Sequence, residues 1–204
     1  MSISRDKLLT LQAYSLSRRA QRQQMIRHRR QRSLTLGPCM RLQFEDELTV
    51  RYQIQEVLHA ERCGHPDAVE HEIGTYAHLV PDGSNWKATL QIEIPDALER
   101  SRELPRLNEA AHRLYVEVGR QPRVFALANE DLPDGHRSRP SAVHFLRFQF
   151  AESLRAALHA GAAVTLGCAH DQYAFRRVVP ADTVARLCRD LVLPTHKLDL
   201  CAVR

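Results

Sequence analysis

Between residues 56 and 78 stand Glu56, His59, Cys63, His65, Glu70, His71, Glu72 and His78. Imidazole, thiolate and carboxylate groups at this density are the donors that a single transition-metal ion takes. Glu56 and His59 form a Glu-x-x-His pair, and residues three apart on a helix face one point, as di-iron bundles require. Such bundles also draw carboxylates from other helices and a second pair of the same kind, and the sequence offers neither. The Cys63/His65 and His71/His78 spacings match no zinc pattern. Solvated histidines are the plainer account of this cluster.

Two further positions could handle protons. Glu61 follows Val57 and Leu58 on the apolar stripe begun by Val50 and Ile54, so its carboxylate is expected to point toward the core. There it must be paired, hydrogen-bonded, protonated or bound to metal. His144 shares a strand face with Leu146, Phe148 and Phe150. An imidazole in that setting is a core hydrogen-bond donor, unless Glu56 or Glu61 stands beside it to complete a proton shuttle. Glu56, Glu61 and His144 are therefore the candidate catalytic residues, and the candidate ligands for iron or zinc. No nucleophile elbow, Walker sequence, Rossmann fingerprint or Gly-rich phosphate loop is present. Nucleotide-dependent chemistry of the common kinds is not expected.

The element that must position these groups is a helix running from an Asp46 cap to Glu61. Opposite its stripe lie Tyr52, Gln55, Glu56 and His59, close enough together to wall a polar pocket or to form an ordinary wet face. A strand Leu34–Phe44, bent or edged at Gly37-Pro38, precedes it. Pro66 opens a further helix over 67–79. Pro81-Asp82-Gly83 is a turn into a strand Trp86–Ile94, whose Ala88, Leu90, Ile92 and Ile94 face one way and Lys87, Thr89, Gln91 and Glu93 the other. Asp96 caps a helix that Pro105 interrupts. Strands Leu114–Val118 and Arg123–Ala128 form a hairpin, and Asn129–Pro140 reads as a long loop able to act as a lid. Strand Val143–Phe150 carries Arg147 on its polar side. Helix Ala151–Ala160, strands Val164–Cys168 and Tyr173–Val179, and helix Ala181–Leu191 complete the pattern. The expected fold is α+β, a mainly antiparallel sheet packed against several helices.

Charge divides the chain. Residues 1–33 hold nine Lys or Arg and one acid, whereas 34–204 hold 20 basic and 23 acidic residues. A basic helical arm (1–33), one α+β domain (34–193) and a C-terminal tail (194–204) are expected. Seven of the fifteen residues from Arg18 to Arg32 are Arg, a composition that seeks anions or lies on an acidic body. No aromatic residues interleave them, so nucleic-acid binding by base stacking is the weaker reading. The five cysteines show no Cys-x-x-Cys spacing, no secretory signal opens the chain, and no apolar run approaches a membrane span. A cytoplasmic protein is expected.

At FEDELTVRYQIQEVL, PDGSNWKATLQIEIPD and SAVHFLRFQF the chain resembles a family of uncharacterised bacterial proteins, a domain of unknown function described as encoded beside rubrerythrin-like di-iron proteins and iron–sulfur oxidoreductases. The resemblance runs from the basic helices through Phe150 and weakens after about residue 165. It implies weight on Gln53, Gln55, Glu56 and Glu61 in the helix, on Asp82, Gly83, Asn85 and Lys87 in the turn and strand, and on Glu130, Asp131 and His144 beyond. His59, Cys63, His65 and Trp86 depart from the family pattern, which shifts the candidate site from the Cys/His cluster to Glu56, Glu61, Lys87, Asp131 and His144. Gln53, Gln55, Asn85, Lys87, Asp131 and Arg147 are the candidate binding residues. By resemblance the function is that of an accessory protein in a redox or peroxide-defence system, binding a partner or small ligand in a pocket walled by the 46–61 helix. Rubrerythrin-like or iron–sulfur proteins would be its partners. A metal-dependent enzyme and a nucleic-acid-binding arm are the alternatives.

Overall fold

The computed structural model describes residues 3–130 and 140–193. Ser4 opens only a short 3-10 turn, Arg5–Lys7, and the first α-helix, α1 (Leu11–Arg30), starts at Thr10, whose side chain accepts the Ala13 N–H. α1 runs unbroken through the arginine-rich stretch. Gly37-Pro38 proves to be a hairpin turn between β1 (Ser33–Leu36) and β2 (Met40–Phe44), paired Leu36↔Met40. Gly37 sits at φ +65°, and a Cβ there would lie 2.6 Å from the Tyr173 hydroxyl, so both backbone and space call for glycine.

α2 (Glu47–Ala60) starts from a capping box in which Asp46 accepts the Thr49 N–H and the Thr49 hydroxyl oxygen accepts the Asp46 N–H. α3 (Pro66–Tyr76), β3 (Asn85–Ile92) and α4 (Ala97–Leu107) follow, the last continuing past Pro105. Next come β4 (Leu114–Val118), β5 (Val124–Phe125), β6 (Leu127–Ala128), β7 (Val143–Gln149), α5 (Glu152–His159), β8 (Val164–His170), β9 (Tyr173–Val178) and α6 (Ala181–Leu187).

The fold is α+β, as expected, but with two antiparallel sheets where the sequence pointed to one. Their orders are β1-β2-β3-β7-β6 and β5-β4-β8-β9. The expected Arg123–Ala128 strand divides at Ala126: β5 pairs with β4, and β6 pairs with β7 in the other sheet. One buried cluster joins the inner faces of both, from Leu42, Phe44, Trp86, Leu90 and Phe148 to Val116 and Leu166. Helices α4, α5 and α6 add Leu107, Leu158 and Leu187 to it.

A second cluster lies among the other helices, with Val50, Ile54 and Leu58 of α2 against Val69, Ile73 and Leu79, and with Phe145 of β7 packed on it. The helical layer α1–α3 therefore covers the outer, polar face of the five-stranded sheet. α1 is fastened to α2 by the fully buried Tyr14, by Arg18, and by the Leu9 N–H donating to Gln55 Oε1 at 2.5 Å. Among the described residues no helix is long and apolar enough to cross a membrane.

Candidate functional site

Strand alternation builds the floor of the site. Residues facing away from the core on β2, β3 and β7 share one parity, and their register places Arg41 opposite Gln91, Gln43 opposite Thr89, and Thr89 opposite Phe145. In an open sheet this face would meet water. Here α1, α2 and α3 roof it, leaving a cleft of about 630 Å³. Ile26, Arg29 and Arg30, from the last turns of α1, form one wall; Val50 and Gln53 of α2 and Tyr76 and Leu79 form the rest.

The electrostatics of this cleft are one-sided. Among the described residues, three arginines (Arg29, Arg30 and Arg41) line it with one carboxylate, Glu45. Glu45 is buried and accepts the Thr89 hydroxyl at 2.7 Å. Arg41 forms an exposed ion pair with Glu93 at 2.9 Å. Arg29 lies over the Tyr52 ring at 5.6 Å, and its buried Nε has no hydrogen-bond partner. Among the described residues neither Arg29 nor Arg30 has a carboxylate partner. Opposite the arginines, Phe145, Val143 and Leu79 supply an apolar surface.

The expected catalytic and metal-binding set does not converge. Glu56 belongs to the α1–α2 junction, where Arg18 donates to both its oxygens at 2.9 and 2.8 Å and the Tyr14 hydroxyl donates at 2.5 Å. The Arg18 hydrogen bond, aided by Tyr14 and opposed by burial, holds its pKa down to about 2; burial and Glu56 push the Tyr14 phenol up. Glu56 fastens α1 to α2.

Glu61 corrects the expectation of a core-facing carboxylate. α2 ends at Ala60, Glu61 is its exposed C-cap, and Arg62 at φ 53° turns the chain away. The apolar stripe stops at Leu58. His144 is buried, with its Nε2–H donating to the Ser141 carbonyl at 2.9 Å and its Nδ1 accepting from the Asn129 amide at 3.0 Å. Both ring nitrogens are engaged, and the ring lies on the face of β7 opposite the cleft. It is the core imidazole. Among the described residues no three His, Cys, Asp or Glu side chains are grouped to share an ion.

The expected binding residues scatter as well. Gln53 does line the cleft. Gln55 is buried, spends its oxygen on the Leu9 N–H, and leaves Nε2 without a partner. Asn85 is buried in the turn, accepting the Asp82 N–H at 3.4 Å and donating to Gln149 at 3.5 Å. Arg147 clamps Glu130 through two hydrogen bonds, at 2.8 and 2.6 Å. Lys87 lies half-buried on the same face of β3 as Thr89 and Gln91; burial first, and then Arg147 beside it, lower its pKa. Asp131 lies outside the described residues, as do most of the expected loop and the 194–204 tail.

Arg41, Glu45 and Phe145 lay outside the expected site, and Arg29 and Arg30 were expected only as members of the arginine-rich helix. The signal for Arg41, Thr89 and Gln91 was present, as the polar parity of two strands, but a polar strand face is ordinarily wet. The docking of α1, α2 and α3 turns it into a cavity.

A family model described as "Protein of unknown function (DUF3501)" matches residues 2–191. A solved crystal structure of a novel protein of unknown function from Burkholderia pseudomallei K96243 is similar, at TM-score 0.91 and 42% sequence identity, over 94% of this chain and 100% of that one. No curated protein matches.

Proposed function

The chain belongs to the DUF3501 family of unknown function, and on that premise we propose that it binds amphipathic organic anions in the cleft between α1 and the five-stranded sheet. One observation carries this reading: among the described residues Arg29 and Arg30 enter the cleft without carboxylate partners, and Phe145 and Leu79 line the same cleft with apolar side chains. A volume of about 630 Å³ is that of a small-molecule site. A guanidinium presents a planar fork matched to a carboxylate or phosphate. The apolar end takes a hydrocarbon or ring, and the glutamines Gln53 and Gln91 offer hydrogen bonds between the two.

The resemblance noted from the sequence supplies a setting. An anion-holding cleft would suit an accessory role, beside rubrerythrin-like or iron–sulfur proteins in a redox or peroxide-defence system. The 46–61 helix then serves as one wall among several, through Val50 and Gln53.

The test uses the fluorescent aromatic sulfonate 1-anilinonaphthalene-8-sulfonate. Titration into the folded full chain should give saturable binding that weakens several-fold in Arg29→Gln and in Arg30→Gln, with both variants retaining the wild-type melting profile. Equal affinity in wild type and variants would overturn the reading.

A further inference from the structure

The cleft does not end at Phe145. Leu79 and Phe145 also line a recess of about 40 Å³ on its far side, together with Lys87, His78, Leu127 and the paired Glu130 and Arg147. Both hollows lie on one face of one strand, since Lys87, Thr89 and Gln91 alternate along β3 with the same parity. Gln91 is paired with Arg41 at the arginine end, and Lys87 with Arg147 at the other. The sheet thus carries cations at both ends of a polar track, with an apolar ridge of Leu79 and Phe145 between them. Four residues of strand separate Lys87 from Gln91, roughly 13 Å.

The two ends differ in what already satisfies them. Arg147 is committed to Glu130 and to Gln149. Among the described residues Lys87 makes no hydrogen bond and no ion pair, although Glu130 and Asp82 act on it from a distance. A half-buried ammonium without a direct counter-charge is poorly solvated, consistent with its lowered pKa. A carboxylate placed beside it would supply the missing partner, and the recess has room for a group of that size.

Resting on the anion-binding reading above, we propose that the ligand is a two-ended anion. One acid group meets Arg29, Arg30 and Arg41, an apolar body crosses Leu79 and Phe145, and a second acid group reaches Lys87. Linear α,ω-dicarboxylates are the simplest members of this class. The ridge selects for an apolar middle, and the spacing of the two cationic ends selects for length.

Displacement of the bound sulfonate dye by sebacic acid and by its monomethyl ester, which has the same chain and one acid fewer, tests this. Sebacate should displace the dye at about fivefold lower concentration than the ester. In Lys87→Gln that advantage should vanish while displacement by the ester stays unchanged, and Lys87→Arg, which keeps the charge, should retain part of it. Succinate, too short to cross the ridge, should gain nothing from its second acid. If the ester displaces the dye in an Arg29-dependent way but sebacate shows no advantage, or keeps its advantage in Lys87→Gln, the two-ended ligand is wrong and the anion cleft stands. If dye binding is indifferent to Arg29, both readings fall together.

Discussion

Arg32 and Asp190 form an ion pair although 158 positions separate them in the chain. Arg32 is only 3% exposed. It also lies 3.4 Å from Asp46, which the His28 Nε2–H contacts at 2.7 Å. One buried guanidinium thus ties the end of α1, the cap of α2 and the C-terminal 3-10 turn Cys188–Asp190, and it donates to the Phe44 and Glu45 carbonyls besides.

Arg32→Ala should destabilise the fold by about 3–5 kcal/mol, because two carboxylates would remain buried with their shared cation gone. Arg32→Lys should recover little, since a point charge cannot serve both carboxylates and two carbonyls. Denaturant unfolding at neutral pH measures the effect.

Asp190 sets a pH dependence of unusual sign. Burial pushes its pKa up from 3.8 to about 6, against the pull of Arg32 and with help from Asp46. The folded state therefore holds a proton that the unfolded state has released, so this group favours the fold at acid pH and its contribution declines as pH rises from about 4 through about 6. The full shift corresponds to roughly 3 kcal/mol as an upper bound. Asp46 and Glu56, both lowered, act oppositely: their contribution is present above the unfolded pKa and lost as pH falls through the folded value. Asp190→Asn should gain on the wild type as pH rises from 4.5 to 7.5. Parallel stability profiles would show that Asp190 carries no such linkage.

The junction of α1 and α2 can be probed through Tyr14, which is fully buried and donates to Glu56. Tyr14→Phe removes one donor and leaves the ring in place, and should lower stability by about 1 kcal/mol. Hydrogen exchange should show the loss concentrated in α1, with the amides of β3 and β8 unaffected.

Charge reversal of Arg27, Arg29 and Arg30 to Glu addresses the proposed partners. Pull-down against rubrerythrin-like and iron–sulfur proteins should show a complex that the reversal weakens. Identical elution of wild type and variant would count against an arm-mediated partnership.

The elements were largely legible because short-range signals fixed them. Asp46 as a helix cap, Pro66 at a helix start, and the parity of Ala88, Leu90 and Ile92 all act within a few residues. Arrangement was less legible. Leu34–Phe44 read as one strand because Gly37 leaves the parity of Leu36 and Met40 intact across a two-strand hairpin. Arg123–Ala128 read as one strand because nothing local says that its halves pair with different sheets. The site was legible least of all. Glu56 and His144 stood out by residue type, yet the role of Glu56 is decided by Tyr14 and Arg18, some forty residues away, and that of His144 by Asn129 and the Ser141 carbonyl. Arg29 and Arg30 looked like members of a solvated run until the packing of Tyr14 and Met25 on α2 fixed which side of α1 overlooks the sheet.

The passage of the chain from β5 to β6 has a mechanical meaning. Val124–Phe125 is hydrogen-bonded into one sheet and Leu127–Ala128 into the other, with Ala126 buried between them. Neither sheet can slide over or part from the other without tearing a strand pair, so the two layers share a stitch. A twist imposed on the five-stranded sheet by a ligand in the cleft would be passed to the far sheet through those five residues. On heating, both sheets should come apart in a single cooperative step rather than layer by layer.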